Sequence, residues 1–372
     1  MATRLGGRSR ARRKPARAKA QVGSATVNAS DIRGLRYAWQ HRQLVLFLGA
    51  GVSIPYGLPS WKSLVLELLF EQAQGTRRLG SMLPHYRRAV ASWMTDYFDY
   101  DPLVLARMVE RDLRLRSSRI PATNRPTDGV DLFLSRLRTH MYANYRVPTG
   151  RTLLTAIGEL IGKNSSRCGV DSVVTFNFDD LLEAELLRRR VAVKPVTSEN
   201  RQQGGGLRII HPHGFVPREG PISRQNIVFT EPDYHKLTES VFHWGLSEIV
   251  DRLRKNTVLF IGLSMSDPSL RRLLDASRNC DIPPHWQIQK RHAIQDQEML
   301  QVMTEVERRA REYGKVLGSG QLKDPRQLEE AIHAALLQAD SYDREVFESM
   351  GVKTIWVDRF DELPDIIAAI AR

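Results

Sequence analysis

Four short apolar runs in this chain each break off abruptly into glycine or a small polar residue, and no other feature restricts the fold as much. Leu44–Leu48 empties into Gly49-Ala50-Gly51-Val52-Ser53. Val173–Phe176 gives way to Asn177 and Asp179, and Ile209–Ile210 to His211-Pro212-His213-Gly214. Val258–Ile261 ends in Gly262-Leu263-Ser264-Met265-Ser266-Asp267. A continuous apolar run of this length, bounded by turn residues, reads as a strand buried on both faces. Segments with helical spacing separate the runs, and strands interleaved with helices build a parallel sheet covered on both sides. The fold class is therefore α/β: a Rossmann-like, mostly parallel sheet with helices on both faces. In such sheets ligands bind beyond the carboxyl ends of the strands.

Strands are expected at Leu44–Leu48, Ser172–Phe176, Leu207–His211, Asn226–Thr230, Thr257–Gly262, His292–Gln295 and Lys353–Asp358. Ser30 is placed to cap a first helix carrying Ile32, Leu35 and Trp39, and Pro59 to begin a second. Further helices are read at Leu153–Ile161, Asp179–Arg190, Val241–Leu253, Met299–Tyr313, Leu328–Leu337 and Tyr342–Met350, with Leu270, Leu273 and Leu274 marking another. Between about 76 and 148 the strand signal vanishes. Val90, Trp93, Met94 and Tyr97 follow a helical stripe, as do Leu103, Ala106, Val109 and Leu113, and then Leu132, Leu134, Leu137 and Met141. This region is a helical insertion, interrupted by the polar Ser117–Asp128 and set within one domain spanning 30–372.

The net charge of +13 is concentrated at one end. Arg4, Arg8, Arg10, Arg12, Arg13, Lys14, Arg17 and Lys19 precede the first acidic residue, Asp31, and without those eight the net charge falls to +5. Residues 1–29 are too poor in apolar side chains to offset their ordering entropy, which predicts a disordered basic arm. Such an arm suits a nucleic-acid backbone, a membrane surface or an acidic partner, or serves only solubility. The apolar runs fall far short of the ~20 residues of a membrane span. Two cysteines, Cys168 and Cys280, supply neither a thiolate zinc cage nor a disulfide framework, so no metal is expected and a reduced cytoplasmic location is read.

Each strand end has a bland reading beside a chemical one. Gly49, Ala50 and Gly51 can form an ordinary tight turn, or can let backbone N–H groups approach a pyrophosphate with the Ser53 hydroxyl adding a bond. Asp179 and Asp267 fit helix caps. Asn177 can both donate and accept, which suits a ribose hydroxyl or an ordered water. His213 directly precedes a glycine at a strand end and titrates in the range needed to take a proton at neutral pH, with His211 as the competing candidate. Ser264 is a further phosphate or ribose contact.

Taken in order, these segments resemble the sirtuin superfamily. The Gly49-Ala50-Gly51-x-Ser53 loop, with Pro59 and Trp61 behind it in Gly57-Leu58-Pro59-Ser60-Trp61, is similar to the family's first nucleotide loop. Thr175-x-Asn177-x-Asp179 resembles its ribose-contacting motif, His213-Gly214 its general-base site, and Gly262-x-Ser264 its later nucleotide contact. Protein-deacylating members carry a four-cysteine zinc module that this chain lacks, and Phe-Arg where it has Trp61-Lys62. The Trp variant, the long insertion and Ser264-x-x-Asp267-Pro268 look closer to bacterial sirtuin-like effectors of anti-phage defence, which hydrolyse NAD+.

That resemblance implies an NAD+ hydrolase with NAD+ as substrate and no permanently bound cofactor. Asn177 and His213 would be catalytic. Gly49, Ala50, Gly51, Ser53, Pro59, Trp61, Thr175, Asp179, Gly262, Ser264 and Asp267 would line the nucleotide site. It also implies a homo-oligomer and an activating partner protein such as an ATPase. Two alternatives stand beside it: an NAD-dependent protein deacylase or ADP-ribosyltransferase, and a noncatalytic nucleotide-sensing or nucleic-acid-binding subunit.

Overall fold

The computed structural model describes residues 28–73, 84–97, 99, 101–119, 131–198, 205–224, 227–239, 243–265, 267–278, 283–317 and 324–372. The basic arm lies outside the described residues up to position 27, as does the polar interruption of the insertion beyond Arg119. Ala29, read as part of the arm, already belongs to the first helix, α1 (Ala29–Gln40), and Asn28 directly precedes it. Its cap is Asn28 rather than Ser30: the Asn28 side chain accepts the Ser30 amide at 3.0 Å.

Seven strands among the described residues form one sheet. They are β1 (Leu44–Leu48), β2 (Val170–Thr175), β3 (Val193–Val196), β4 (Leu207–Ile210), β5 (Thr257–Ile261), β6 (His285–Lys290) and β7 (Val352–Val357), in the order β3-β4-β2-β1-β5-β6-β7. Every neighbouring pair is parallel, which confirms the α/β class. The four strands that carry the sequence breaks, β4, β2, β1 and β5, are contiguous. The chain leaves β1 toward β2 and later returns on its other side at β5. In parallel sheets such a reversal marks where ligands bind, outside the carboxyl ends of the strands.

The alternation of side chains in β1 assigns its residues to two cores. Leu44, Leu46 and Leu48 face one layer, where α1, α6 (Leu153–Gly162), α7 (Leu181–Arg188) and α13 (Leu363–Ile370) contribute Leu35, Ile157, Leu186 and Ile367. Val45 and Phe47 face the other, with Ile249 and Leu253 of α9 (Trp244–Lys255), Leu270 and Leu274 of α10 (Pro268–Ser277) and Phe347 of α12 (Pro325–Ser349).

A third cluster gathers helices that lie between β1 and β2 in the chain. Helices α2 (Trp61–Ala73), α4 (Pro102–Arg119) and α5 (Leu132–Tyr142) bury Leu68, Val109, Phe133 and Leu137 together with Phe178, Val216 and Phe229. Those last three follow β2 and β4, so these helices pack against the carboxyl ends of the strands. Tyr142 fastens them there, its hydroxyl donating to the Val216 carbonyl at 2.8 Å. The remaining insertion helix is α3 (Pro84–Tyr97).

Several elements depart from the sequence reading. Ile227–Thr230 is fully buried but forms no strand, because its apolar side chains fill the insertion cluster and the segment leads into α8 (Glu231–Glu239). The strand expected at His292–Gln295 lies upstream as β6, hidden by His285 and Gln287, which are polar yet buried and hydrogen-bonded. Strand β3 escaped notice because Pro195 interrupts it, a residue tolerated at a sheet edge. The two helices expected after Leu328 are one, α12, and α11 (Asp296–Leu317) precedes it. Helix α2 starts at Trp61, and Ser60 caps it by accepting the Ser63 amide at 3.2 Å, leaving Pro59 outside. Among the described residues, no helix is long and apolar enough to cross a membrane.

Candidate active site

The glycines after β1 serve the backbone first. Gly49 N–H donates to the Ile261 carbonyl and Gly51 N–H to that of Gly262, each at 3.0 Å. A β-carbon on Gly49 would meet Gly262 O at 2.6 Å, and one on Gly51 would meet Gly262 Cα at 2.7 Å. Gly262 itself has φ +66, where only glycine sits without strain. The loops after β1 and β5 therefore interlock. Val52 and Ser53 amides bond to the Gly49 and Ala50 carbonyls, which leaves the Ala50 N–H as the amide of this loop without a partner among the described residues.

Ser53 is also committed. Its hydroxyl donates to Asp179 Oδ2 at 2.7 Å and accepts from Asn177 Nδ2 at 3.1 Å. The second hydrogen of that amide goes to the Gly49 carbonyl at 3.0 Å. The opposite flip of the amide would set two acceptors against each other, so the bonding pattern fixes its orientation. Only Asn177 Oδ1 remains to face a ligand. Thr175 Oγ1 accepts the Asn177 amide at 3.2 Å, so the threonine holds the loop from below.

Asp179 sits beneath this cluster and also accepts the Leu181 amide at the start of α7. Burial pushes its carboxyl up to about 6, against the opposing bonds from Ser53 and the Leu181 amide. His211 is fully buried and points inward, with Nε2 2.8 Å from Glu183 Oε1 and Nδ1 3.3 Å from the Asn177 carbonyl.

His213 differs from His211 in being held by rings. Phe176 and Tyr234 contact it edge-on at centroid distances of 5.2 and 5.4 Å, and no hydrogen bond reaches its ring among the described residues. Burial lowers its pKa, with Asp267 pulling upward and His243 downward. It is thus a neutral imidazole at pH 7, able to accept a proton. Asp267 caps α10 through the Ser269 amide at 2.8 Å and lies close enough to act on His213.

Three of the sequence candidates stand apart from this cluster in what they touch. Trp61 packs into the insertion core, its ring 5.9 Å from Phe229, and Pro59 is half-buried in the turn before α2. Ser264 is exposed on the loop after Gly262.

Residues 171–314 match the SIR2-like domain family model. Over that span the chain is similar to SIR2-like domains. No curated protein matches the sequence. The matched span of the SIR2-like domain contains Asn177, His213, Gly262, Ser264 and Asp267, and starts within β2. The Gly49–Ser53 loop precedes the matched span and is tied to it through the Asn177–Gly49 bond and the glycine interlock.

Sequence reasoning missed Tyr234, His243 and Glu183. The signal for Tyr234 lies in Thr230-Glu231-Pro232-Asp233-Tyr234, a helix start with proline and acid in its first turn, directly after the Asn226–Thr230 run that reads as a strand. Asp233 anchors that start, accepting from the Phe229 and Thr230 amides, and Arg224 bridges it to Glu110 of the insertion.

Proposed function

We propose that this protein hydrolyses NAD+ at the nicotinamide–ribose bond, giving nicotinamide and ADP-ribose, and acts as an NAD-depleting effector in anti-phage defence. The observation that carries this reading is the pairing of a single open acceptor, Asn177 Oδ1, with a neutral, ring-held His213 at neighbouring strand ends of a SIR2-like domain. Asn177 Oδ1 accepts from a nicotinamide-ribose hydroxyl or from the attacking water. His213 takes a proton from one of these as the bond to nicotinamide breaks through an oxocarbenium-like state. Water supplies hydroxyl to the ribose carbon, and its remaining proton leaves through the histidine.

The Ala50 amide and the Gly262–Ser264 loop contact the pyrophosphate and ribose, while Thr175, Asp179 and Ser53 hold Asn177 in place. Asp267 acts on His213, and Trp61 with Pro59 joins the insertion to the site. Fixed dipoles and positioning supply the rate, with no cofactor retained. In the same reading the protein works as a cytoplasmic homo-oligomer, is activated by a partner such as an ATPase, and uses its basic arm to contact an acidic partner or nucleic acid.

The test is incubation of the purified protein with NAD+, with and without the products of neighbouring genes, following nicotinamide and ADP-ribose. Stoichiometric release of both supports the hydrolase. Nicotinamide release that requires an acylated or acceptor protein supports a deacylase or ADP-ribosyltransferase instead. Salt-sensitive nucleic-acid binding without turnover supports the noncatalytic reading.

A further inference from the structure

Asn177 is held at four points, and three of them are bonds it makes toward β1 or its own strand: its amide to Thr175, and its side-chain nitrogen to Gly49 and Ser53. The fourth is its carbonyl, which faces His211 Nδ1 at 3.3 Å. His211 lies at the end of β4 and is fully buried. On the far side of the ring, Nε2 meets Glu183 Oε1 at 2.8 Å. Glu183 stands on α7, one turn beyond Asp179, and its other oxygen is buried without a partner among the described residues.

Both ring nitrogens of His211 thus face oxygen acceptors. A carbonyl can only accept, so Nδ1 must carry hydrogen. The Nε2–Glu183 contact then needs a hydrogen of its own, supplied either by the ring or by the carboxyl group.

We infer that His211 is a positioning residue for the reaction: with its tautomer fixed by Glu183, it donates from Nδ1 to the Asn177 carbonyl and so aims Asn177 Oδ1. The inference rests on the assignment of Asn177 to the chemistry of NAD+ cleavage. His211 itself touches no reacting atom. Asp179 is the other ionisable group facing the pair, and it acts on the same loop through Ser53.

Three variants and one spectrum test this. His211→Phe removes the donor and is expected to lower kcat by roughly 10- to 100-fold with KM changed by less than about threefold, as for a displaced reacting group. Glu183→Gln keeps a donor toward Nε2, so Nδ1–H is retained and kcat stays within about threefold of wild type. Glu183→Leu releases the tautomer and falls with His211→Phe. Because His211→Phe leaves a buried carboxylate and can fail to fold, the 15N spectrum of the selectively labelled wild-type protein is the independent readout. It should show the His211 Nδ1 in the protonated range, in wild type and in Glu183→Gln alike. A lone-pair nitrogen at Nδ1, or a folded His211→Phe protein with wild-type kcat, overturns the inference. Failure of wild type to cleave NAD+ would instead overturn the functional reading, and the spectrum would still decide the bonding.

Discussion

Gly51 and Gly262 lie back to back, so close that a β-carbon on the first would sit 2.7 Å from the α-carbon of the second. The loops that end β1 and β5 are locked by this contact and by the Gly51 N–H to Gly262 carbonyl bond at 3.0 Å. The same lock sets where the Gly49 carbonyl meets Asn177.

Gly51→Ala should therefore unfold at lower denaturant, by about 1–3 kcal/mol for the overpacking alone. Gly262→Ala adds the strain of φ +66, on the order of 1–2 kcal/mol. Gly162→Ala is the control, since its β-carbon would meet open space. Equal unfolding midpoints for Gly51→Ala and wild type would show that the loops do not interlock.

His213→Ala should abolish NAD+ turnover and lower stability by about 2–3 kcal/mol, since its buried ring packs between Phe176 and Tyr234. Asn177→Ala should abolish turnover as well and lower stability by roughly 1–3 kcal/mol, since Gly49 and Ser53 lose their donor. In wild type, kcat/KM should fall on the acid side with an apparent pKa below 6.5, because burial depresses His213 and only its neutral form accepts a proton. Full activity of His213→Ala at neutral pH would remove it from the mechanism.

Asp179 makes a separate, opposite-looking prediction about stability. Its folded-state pKa is raised from 3.8 to about 6 by burial. Its protonated form is favoured by folding, so its contribution is fully present below the unfolded value and is lost as pH rises through about 6. The loss is on the order of 3 kcal/mol. Unfolding midpoints measured between pH 4 and 7 should carry this slope in wild type and lose it in Asp179→Asn. An unchanged slope in the variant would assign it to other groups.

Arg224 joins the insertion to the helix that carries Tyr234. It contacts Glu110 on α4 and Asp233 on α8, and it donates to the Ile227 carbonyl at 2.7 Å. Arg224→Leu leaves two largely buried carboxylates without their cation, which should cost about 3–5 kcal/mol. Hydrogen exchange should rise first in α8 and at Phe229, next to His213, while the sheet stays protected. Uniform loss of protection would mean that the insertion and the sheet unfold as one unit.

The sequence alone determined the class of fold and the edge where chemistry belongs. Apolar runs that end in Gly49, Asn177, His213 and Gly262 are local signals, set by which side chains a doubly covered strand and its exit loop tolerate. Their order in the sheet was not local. β4, β2, β1 and β5 became neighbours only through tertiary pairing. Strand β6 stayed hidden because His285 and Gln287 look like surface residues until their buried partners, the Val258 amide and Thr354, are in place.

Tertiary structure also decided what each candidate atom is free to do. Gly49 and Gly51 read as a phosphate cradle, yet most amides of that loop are spent on the protein itself. Ser53 reads as a ligand contact, yet its hydroxyl is held by a residue 126 positions away. Asn177 keeps one open oxygen because its nitrogen is bound across 128 positions. The physical reason is that a hydrogen-bonding group has few partners, and folding fills them from distant parts of the chain before any ligand arrives.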